Sequence, residues 1–207
     1  MNHLVSFEHI LRKLLTKIIA KPELHAKWLN TLSFLENCGA RKIAACEHPT
    51  LVKEEMLKHA AEEFRHAHYL KRQIEKVRST PMRDYSLPNL IGGTATLHYL
   101  SSLDQQASRY LLSQGFSRSV VKEAAYLLVT YAIELRAEEL YPIYDEILRK
   151  SGSKVAVKSI VLEEKEHLNA MKEGLQQFPS GFIHAKRICG FEAVICGKWL
   201  NICINQL

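Results

Sequence analysis

Two short motifs, each with a glutamate three residues before a histidine, constrain this chain more than any other feature of its sequence. The first contains Glu63 and His66, and the second contains Glu164 and His167. Residues three apart project from one face of a helix, so the two side chains of each motif can bind the same metal ion. Two such motifs predict a site for two metal ions.

Both glutamates interrupt an apolar stripe of their helix. Steps of three and four residues from Glu63 lead to Met56, Ala60, Ala67, Leu70, Ile74 and Val77, and the same steps from Glu164 lead to Val157, Ile160, Val161, Leu168, Met171 and Leu175. The neighbouring Glu62 and Glu163 lie one residue round, toward the polar faces, where we expect them to matter far less for metal binding. Several carboxylates in a core are costly, and a metal ion is the usual means of keeping them there.

Length and composition predict one cytoplasmic domain covering residues 1–207. The chain has 207 residues, of which 47% are hydrophobic and 24% charged, so it can form a substantial core. No run approaches the roughly 18 to 20 apolar residues of a membrane span. Glu8, Arg12 and Lys13 interrupt the apolar pattern at the amino terminus, which is unlike a normal signal peptide.

The cysteines and the net charge give weaker indications. Cys189, Cys196 and Cys203 recur every seven residues, so we expect them to be buried, reduced residues on one stripe of a terminal helix. The formal charge of +6 suits an anionic partner and keeps RNA among the candidates. The basic residues are scattered, however, which favours solvated helix faces over a nucleic-acid surface.

The apolar periodicity is helical throughout and predicts an all-α protein. Pro49 should end the second helix and Thr50 should cap the third, while residues 79–93 form the longest connection. The predicted helices cover about residues 4–19, 22–47, 50–78, 94–112, 118–150, 153–178 and 182–204.

The second and third predicted helices form one hairpin, and the fifth and sixth form another. In each hairpin, the first helix carries one inward glutamate and the second carries a Glu-x-x-His pair. Glu36 precedes Glu63 by 27 residues, and Glu134 precedes Glu164 by 30, so all four lie near the middle of a bundle. Glu138, which precedes Glu164 by 26 residues, fits almost as well. We expect Glu134 to bind the metal, and Glu138 to be the alternative ligand or a partner of a ligand.

This pattern resembles that of the ferritin-like superfamily of di-iron and di-manganese carboxylate proteins. The resemblance implies a four-helix bundle of residues 22–78 and 118–178, with additional amino-terminal, crossover and carboxy-terminal helices. The helix after Glu134, with Tyr141 and Tyr144, is similar to that of cyanobacterial aldehyde-deformylating oxygenases. The implied ligands are Glu36 and Glu134 as terminal or chelating carboxylates, Glu63 and Glu164 as bridging carboxylates, and His66 and His167 as one nitrogen ligand for each metal.

The resemblance implies two iron ions, or manganese, with open positions for dioxygen or peroxide. We expect an oxidase or oxygenase acting on a small organic substrate, because the additional helices can form a pocket. The alternatives are a ferroxidase, a rubrerythrin-like peroxide-reducing protein with a separate electron donor, a ferritin-like tRNA hydroxylase, and a non-enzymatic interaction protein with a structural metal. A metal-free bundle with buried ion pairs and a homodimer also stay open.

Other polar residues near the motifs are weaker candidates. His59 and His68 flank the first motif, and we expect each to be a surface or helix-boundary residue. Tyr131 and Tyr141 lie on the stripe of Glu134, where packing in the core is favoured over a hydrogen bond to a ligand.

Overall fold

The computed structural model describes residues 4–48 and 50–207, and within them the fold contains seven α-helices and no strand. The all-α prediction is therefore confirmed. The helices are α1 (Glu8–Ile19), α2 (Pro22–Cys46), α3 (Glu54–Gln73), α4 (Gly93–Ser113), α5 (Arg118–Lys150), α6 (Lys158–Gln177) and α7 (Gly181–Asn205).

The helix bounds differ from the predicted ones mainly at two amino termini. Helix α1 begins at Glu8, four residues later than expected. Helix α3 begins at Glu54, and Thr50 does not cap it, since its hydroxyl contacts His48 Nδ1 at 3.3 Å instead. Leu51 is 65% exposed, so extending α3 backwards would bury little apolar surface. Pro49, the predicted end of α2, lies outside the described residues.

Helices α2 and α3 pack as one hairpin, and α5 and α6 pack as another. Ser33 of α2 donates a hydrogen bond to the carbonyl oxygen of Ala67 in α3, and a Cβ at Gly174 of α6 would lie 2.8 Å from Leu127 of α5. Helices α1, α4 and α7 cover α5 and connect the two hairpins. The four helices predicted to carry the glutamates therefore form the two hairpins, as the spacing requires.

Two apolar clusters occupy the core, and the four helices pass from one to the other. A predicted ligand glutamate lies between the two clusters on α2, α3 and α6, and on α5 Glu134 lies directly before the change. The pairs of apolar residues on either side are Leu32 and Ile43 in α2, Ala60 and Leu70 in α3, Leu135 and Leu140 in α5, and Ile160 and Leu168 in α6. A polar layer therefore separates the two halves of the core.

Helix α7 is held against the bundle by a buried ion pair. Arg136 of α5 donates hydrogen bonds from Nε and Nη2 to both carboxylate oxygens of Glu192, at 2.9 and 2.8 Å, and the Tyr99 hydroxyl of α4 donates to the same carboxylate at 2.6 Å. All three side chains are buried. The pairing satisfies charges that would otherwise destabilise the core. Cys189, Cys196 and Cys203 are buried on the same helix, as predicted.

By length and composition, α7 is the one helix of the described residues that could cross a membrane. In the structure, 44% of its apolar stretch is buried, and core helices of soluble proteins meet the same criterion. The buried Glu192 and its contact with Arg136 fit α7 as a packed helix of the bundle.

Replacing Gly92 by alanine should destabilise the fold. Gly92 has φ +85°, and a Cβ there would lie 2.5 Å from Thr96 Oγ1 and 2.7 Å from Trp199 Nε1. We expect the free energy of unfolding to fall by about 2 kcal/mol, measured by urea denaturation. The control is Gly190→Ala at an exposed site of α7, which should raise it by up to about 1 kcal/mol. Equal effects of the two changes would contradict the backbone conformation and close contacts assigned to Gly92.

Candidate metal centre

The polar layer gathers all six predicted ligands into two groups that share one residue. In each group, one potential ligand atom from every member lies within 4.8 Å of the others. The carboxylate-rich group consists of Glu36, Glu63, His66 and Glu164, and the histidine-rich group consists of His59, Glu63, Glu134 and His167. Such groups of buried carboxylates and imidazoles could hold metal ions.

Glu63 and Glu164 each reach the histidines of both groups. Glu63 lies 3.2 Å from His167 Nδ1 and 3.8 Å from His66 Nδ1, through different carboxylate oxygens. Glu164 lies 3.1 Å from His66 Nδ1 and 3.9 Å from His167 Nδ1, again through different oxygens. This placement fits carboxylates that bridge two ions.

His59 is the candidate that the sequence prediction missed. It was expected at the surface or a helix boundary, which is wrong, because it is 5% exposed and belongs to the histidine-rich group. Its Nε2 lies 3.1 Å from Glu134 Oε1 and 3.4 Å from Glu63 Oε1. The available signal was its position four residues before Glu63 and seven before His66, on the same stripe of α3. His68 is exposed, as expected.

The structure places Glu134, and not Glu138, in the polar layer. Glu134 is 3% exposed and lies in the histidine-rich group, whereas Glu138 is on the exposed face of α5. The two lie one turn apart, about 6 Å along the axis and about 40° around it, and of the two only Glu134 reaches the ligand atoms of the facing hairpin.

Glu62 and Glu163 connect the two hairpins and orient the motif histidines. His66 Nε2 donates to Glu163 at 2.7 Å, and His167 Nε2 donates to Glu62 at 2.9 Å. Each imidazole therefore has its Nε2 bound to a carboxylate of the opposite helix, which leaves Nδ1 facing the polar layer. The expectation that these glutamates lie on the polar faces is incomplete, because both are half-buried between α3 and α6.

Tyr141 contacts the carboxylate-rich group directly. Its hydroxyl donates a hydrogen bond to Glu36, which is half-buried, and Tyr141 itself is 3% exposed. For Tyr141, the expectation that packing prevails over a hydrogen bond to a candidate ligand is therefore wrong. Tyr131 is buried in the apolar core, where its ring packs as predicted.

Burial and mutual repulsion of the carboxylates control their protonation. Desolvation, with repulsion from neighbouring glutamates, raises the pKa of Glu36 and Glu164 well above the usual range and that of Glu134 to about 8. Burial also acts to raise the pKa of Glu63, but contacts with three histidines outweigh it and hold this pKa well below its usual value. Burial acts to lower the pKa of His66, yet Glu164 and Glu63 raise it to about 12.

Several atoms of the layer lack a hydrogen-bond partner among the described residues. They are Oε1 of Glu63, Oε2 of Glu134, Oε1 of Glu164, and Nδ1 of His66 and His167. Some lie within ion-pair distance of one another, but the angles are not those of hydrogen bonds. Buried polar atoms without partners are costly. The residues present therefore fit one or more bound cations, which would satisfy these atoms together.

Two cavities reach the polar layer from different sides. An apolar cavity of about 100 Å³ extends to Glu36, Glu63, Glu134 and Glu164 and is lined by Leu32, Leu35, Ile43, Leu100, Ile133 and Trp199. A larger cleft of about 710 Å³ between α3, α5 and α6 extends to His59 and His167. Its acidic lining residues are Glu55, Glu62, Glu123, Glu166 and Glu173, and its basic ones are Lys53 and Lys58.

Comparison with known proteins gives no match, whether with family models, curated proteins or solved structures. The likeness to ferritin-like proteins therefore depends on the pattern of glutamates and histidines in the sequence. The structure adds the geometry of the polar layer.

Glu134→Ala should remove one metal position, and Glu138→Ala should remove none. Glu134 is in the histidine-rich group, whereas Glu138 is exposed. We expect about one ion per chain in the first variant and about two in the second, by elemental analysis under saturating Mn(II). Loss of an ion in Glu138→Ala alone would shift the ligand set by one helical turn.

Metal binding should release protons and strengthen as the pH rises. The raised pKa values of Glu134 (about 8) and His66 (about 12) leave both groups protonated near neutral pH, and a metal ligand must be deprotonated. Between pH 6 and pH 8, the Mn(II) affinity should increase about tenfold per pH unit for each proton released. Titration calorimetry in buffers of different ionisation enthalpy measures the release. An affinity independent of pH would contradict the assigned protonation.

Proposed function

We propose that this chain is a di-iron carboxylate protein of the ferritin-like type that uses dioxygen to oxidise a small organic substrate. The observation that carries the proposal is the pair of ligand groups joined through Glu63, with an apolar cavity open to their carboxylates. A metal-free bundle accounts less well for the unpartnered atoms of the polar layer.

The donor set supports iron, with manganese as the alternative metal. It comprises four carboxylates and three imidazoles, and the free cysteines lie elsewhere. Oxygen and nitrogen donors without thiolate suit Fe(II) or Mn(II). Four carboxylates, when ionised, balance the charge of two divalent ions.

The apolar cavity supports a small, mostly uncharged substrate. Its volume of about 100 Å³ is smaller than the roughly 150 Å³ of an apolar cavity that holds benzene, so it suits a compact hydrocarbon group. Leu100 of α4 and Trp199 of α7 supply part of its wall, so helices outside the two hairpins help to form it. This supports the expected role of the additional helices.

Each residue of the layer has a distinct part in the proposed reaction. Glu63 belongs to both ligand groups and Glu164 reaches a histidine of each, while Glu62 and Glu163 keep the motif imidazoles oriented. Tyr141 fixes one carboxylate oxygen of Glu36. With two Fe(II) ions bound, the site would supply electrons for the reduction of dioxygen, while the apolar wall keeps bulk water from the substrate.

A second candidate is a ferroxidase or a peroxide-reducing protein. The cleft that reaches His59 and His167 has five acidic residues in its lining against two basic ones, which favours the approach of cations. Solvated Fe(II) could reach the histidine-rich group by this route. A ferroxidase oxidises further Fe(II) repeatedly, whereas an oxygenase keeps two ions and needs a reductant for further turnover.

The chain, loaded with Fe(II) without oxygen and then exposed to air, should bind about two ions and consume dioxygen as both are oxidised. The variant Glu63→Ala removes the shared ligand and should lose this reaction. The matched control is Glu54→Ala, at an exposed position of the same helix that lines neither cavity. An oxygen electrode and elemental analysis provide the measurements.

Two outcomes would change the conclusion. Binding of two irons without any dioxygen consumption would sink the oxidase and ferroxidase together and leave a structural metal site. Continued oxidation of Fe(II) added beyond two per chain, with release of Fe(III), would replace the oxygenase by the ferroxidase.

A further inference from the structure

The two ligand groups differ in their donor atoms. Apart from the shared Glu63, the histidine-rich group has two imidazoles and the carboxylate of Glu134. The carboxylate-rich group has one imidazole and the carboxylates of Glu36 and Glu164. The difference arises from His59, since each group otherwise has one motif histidine.

We propose that the two positions select different divalent ions. The histidine-rich group prefers ions with high affinity for nitrogen, such as Co(II) and Zn(II), and the carboxylate-rich group accepts Mn(II), which prefers oxygen. The inference rests on the dinuclear site of the proposed function and is independent of its oxygen chemistry. The two ions of the centre are then not interchangeable.

The position of His59 fits a ligand more closely than a packing residue. Its Nε2 faces the carboxylates of Glu134 and Glu63, at 3.1 and 3.4 Å. Its Nδ1 lies 3.4 Å from the Tyr126 hydroxyl. When Nε2 binds an ion, the proton moves to Nδ1, from which it can be donated to Tyr126. The hydroxyl is a weaker partner than the carboxylates that hold His66 and His167.

The imidazoles of the histidine-rich group lie side by side. The ring centroids of His59 and His167 are 4.1 Å apart, and both rings line the solvent-connected cleft. The apolar cavity instead contacts the layer through its carboxylates, and no histidine is among its lining residues. A hydrated ion entering through the cleft therefore meets two nitrogen donors first, which agrees with the preference expected from the donor count.

Mixed loading of the metal-free chain tests the proposal without iron or oxygen. The chain is incubated with one equivalent each of Zn(II) and Mn(II), so that Zn(II), which binds most sites more tightly than Mn(II), cannot fill both positions. It is then passed over a desalting column and analysed by elemental analysis and Mn(II) electron paramagnetic resonance. We expect about one ion of each kind per chain and the signal of an isolated Mn(II) ion, because Zn(II) is diamagnetic. A statistical mixture with coupled Mn(II) pairs would overturn the selectivity.

The variant His59→Gln tests the origin of the selectivity. Zn(II) affinity should fall by at least about 10 to 100-fold, because removing even a residue that hydrogen-bonds to a ligand causes a loss of that size. Mn(II) should stay bound. The control His68→Gln changes an exposed histidine of the same helix and should leave both affinities unchanged. Unchanged Zn(II) affinity in His59→Gln would overturn the role of His59.

The outcomes separate this inference from the proposed function. If His59→Gln fails to fold, as judged by circular dichroism, the wild-type mixed loading decides alone. Selective loading by a chain whose two irons are inert to dioxygen would sink the proposed function and leave the inference standing. Dioxygen consumption by a chain that loads Zn(II) and Mn(II) at random would overturn the inference and leave the proposed function standing.

Discussion

The burial of four glutamates in one layer of the core is the constraint on which the rest of this structure depends. Each of the four hairpin helices carries its glutamate at or beside the point where it passes between the two apolar clusters, so the layer cannot be exposed without separating the halves of the core. Charged carboxylates in such a place destabilise the fold unless positive charge accompanies them. Histidines supply part of that charge, and the unpartnered atoms of the layer indicate room for cations.

The contact between the two hairpins is polar and reciprocal. His66 of α3 binds Glu163 of α6, while His167 of α6 binds Glu62 of α3. Arg65 adds a more exposed ion pair with Glu163 at 2.6 Å, which contributes little by itself. The same interactions therefore hold the hairpins together and orient the imidazoles, so the geometry of the centre depends on the packing of α3 against α6.

The centre has two unlike surroundings because different helices cover its two sides. Toward α4 and α7 it meets an apolar cavity, whose wall includes Trp199 and whose position depends on the buried pair of Arg136 and Glu192. Toward solvent it meets a cleft with mainly acidic charges. The centre thus has separate apolar and acidic surroundings for a small apolar molecule and a hydrated ion, and this division supports both the proposed oxidation and the unequal metal positions.

The sequence by itself determined the helices and the six residues that the structure gathers, because apolar periodicity and an i, i+3 spacing are properties of one helix. It favoured Glu134 but left Glu138 almost as good a candidate, since both lie near one stripe and only the facing hairpin distinguishes them. It also missed the burial of His59 and the partners of Glu62 and Glu163. Those features depend on which side chains lie across the interface between helices, and spacing within a single helix contains no information about them.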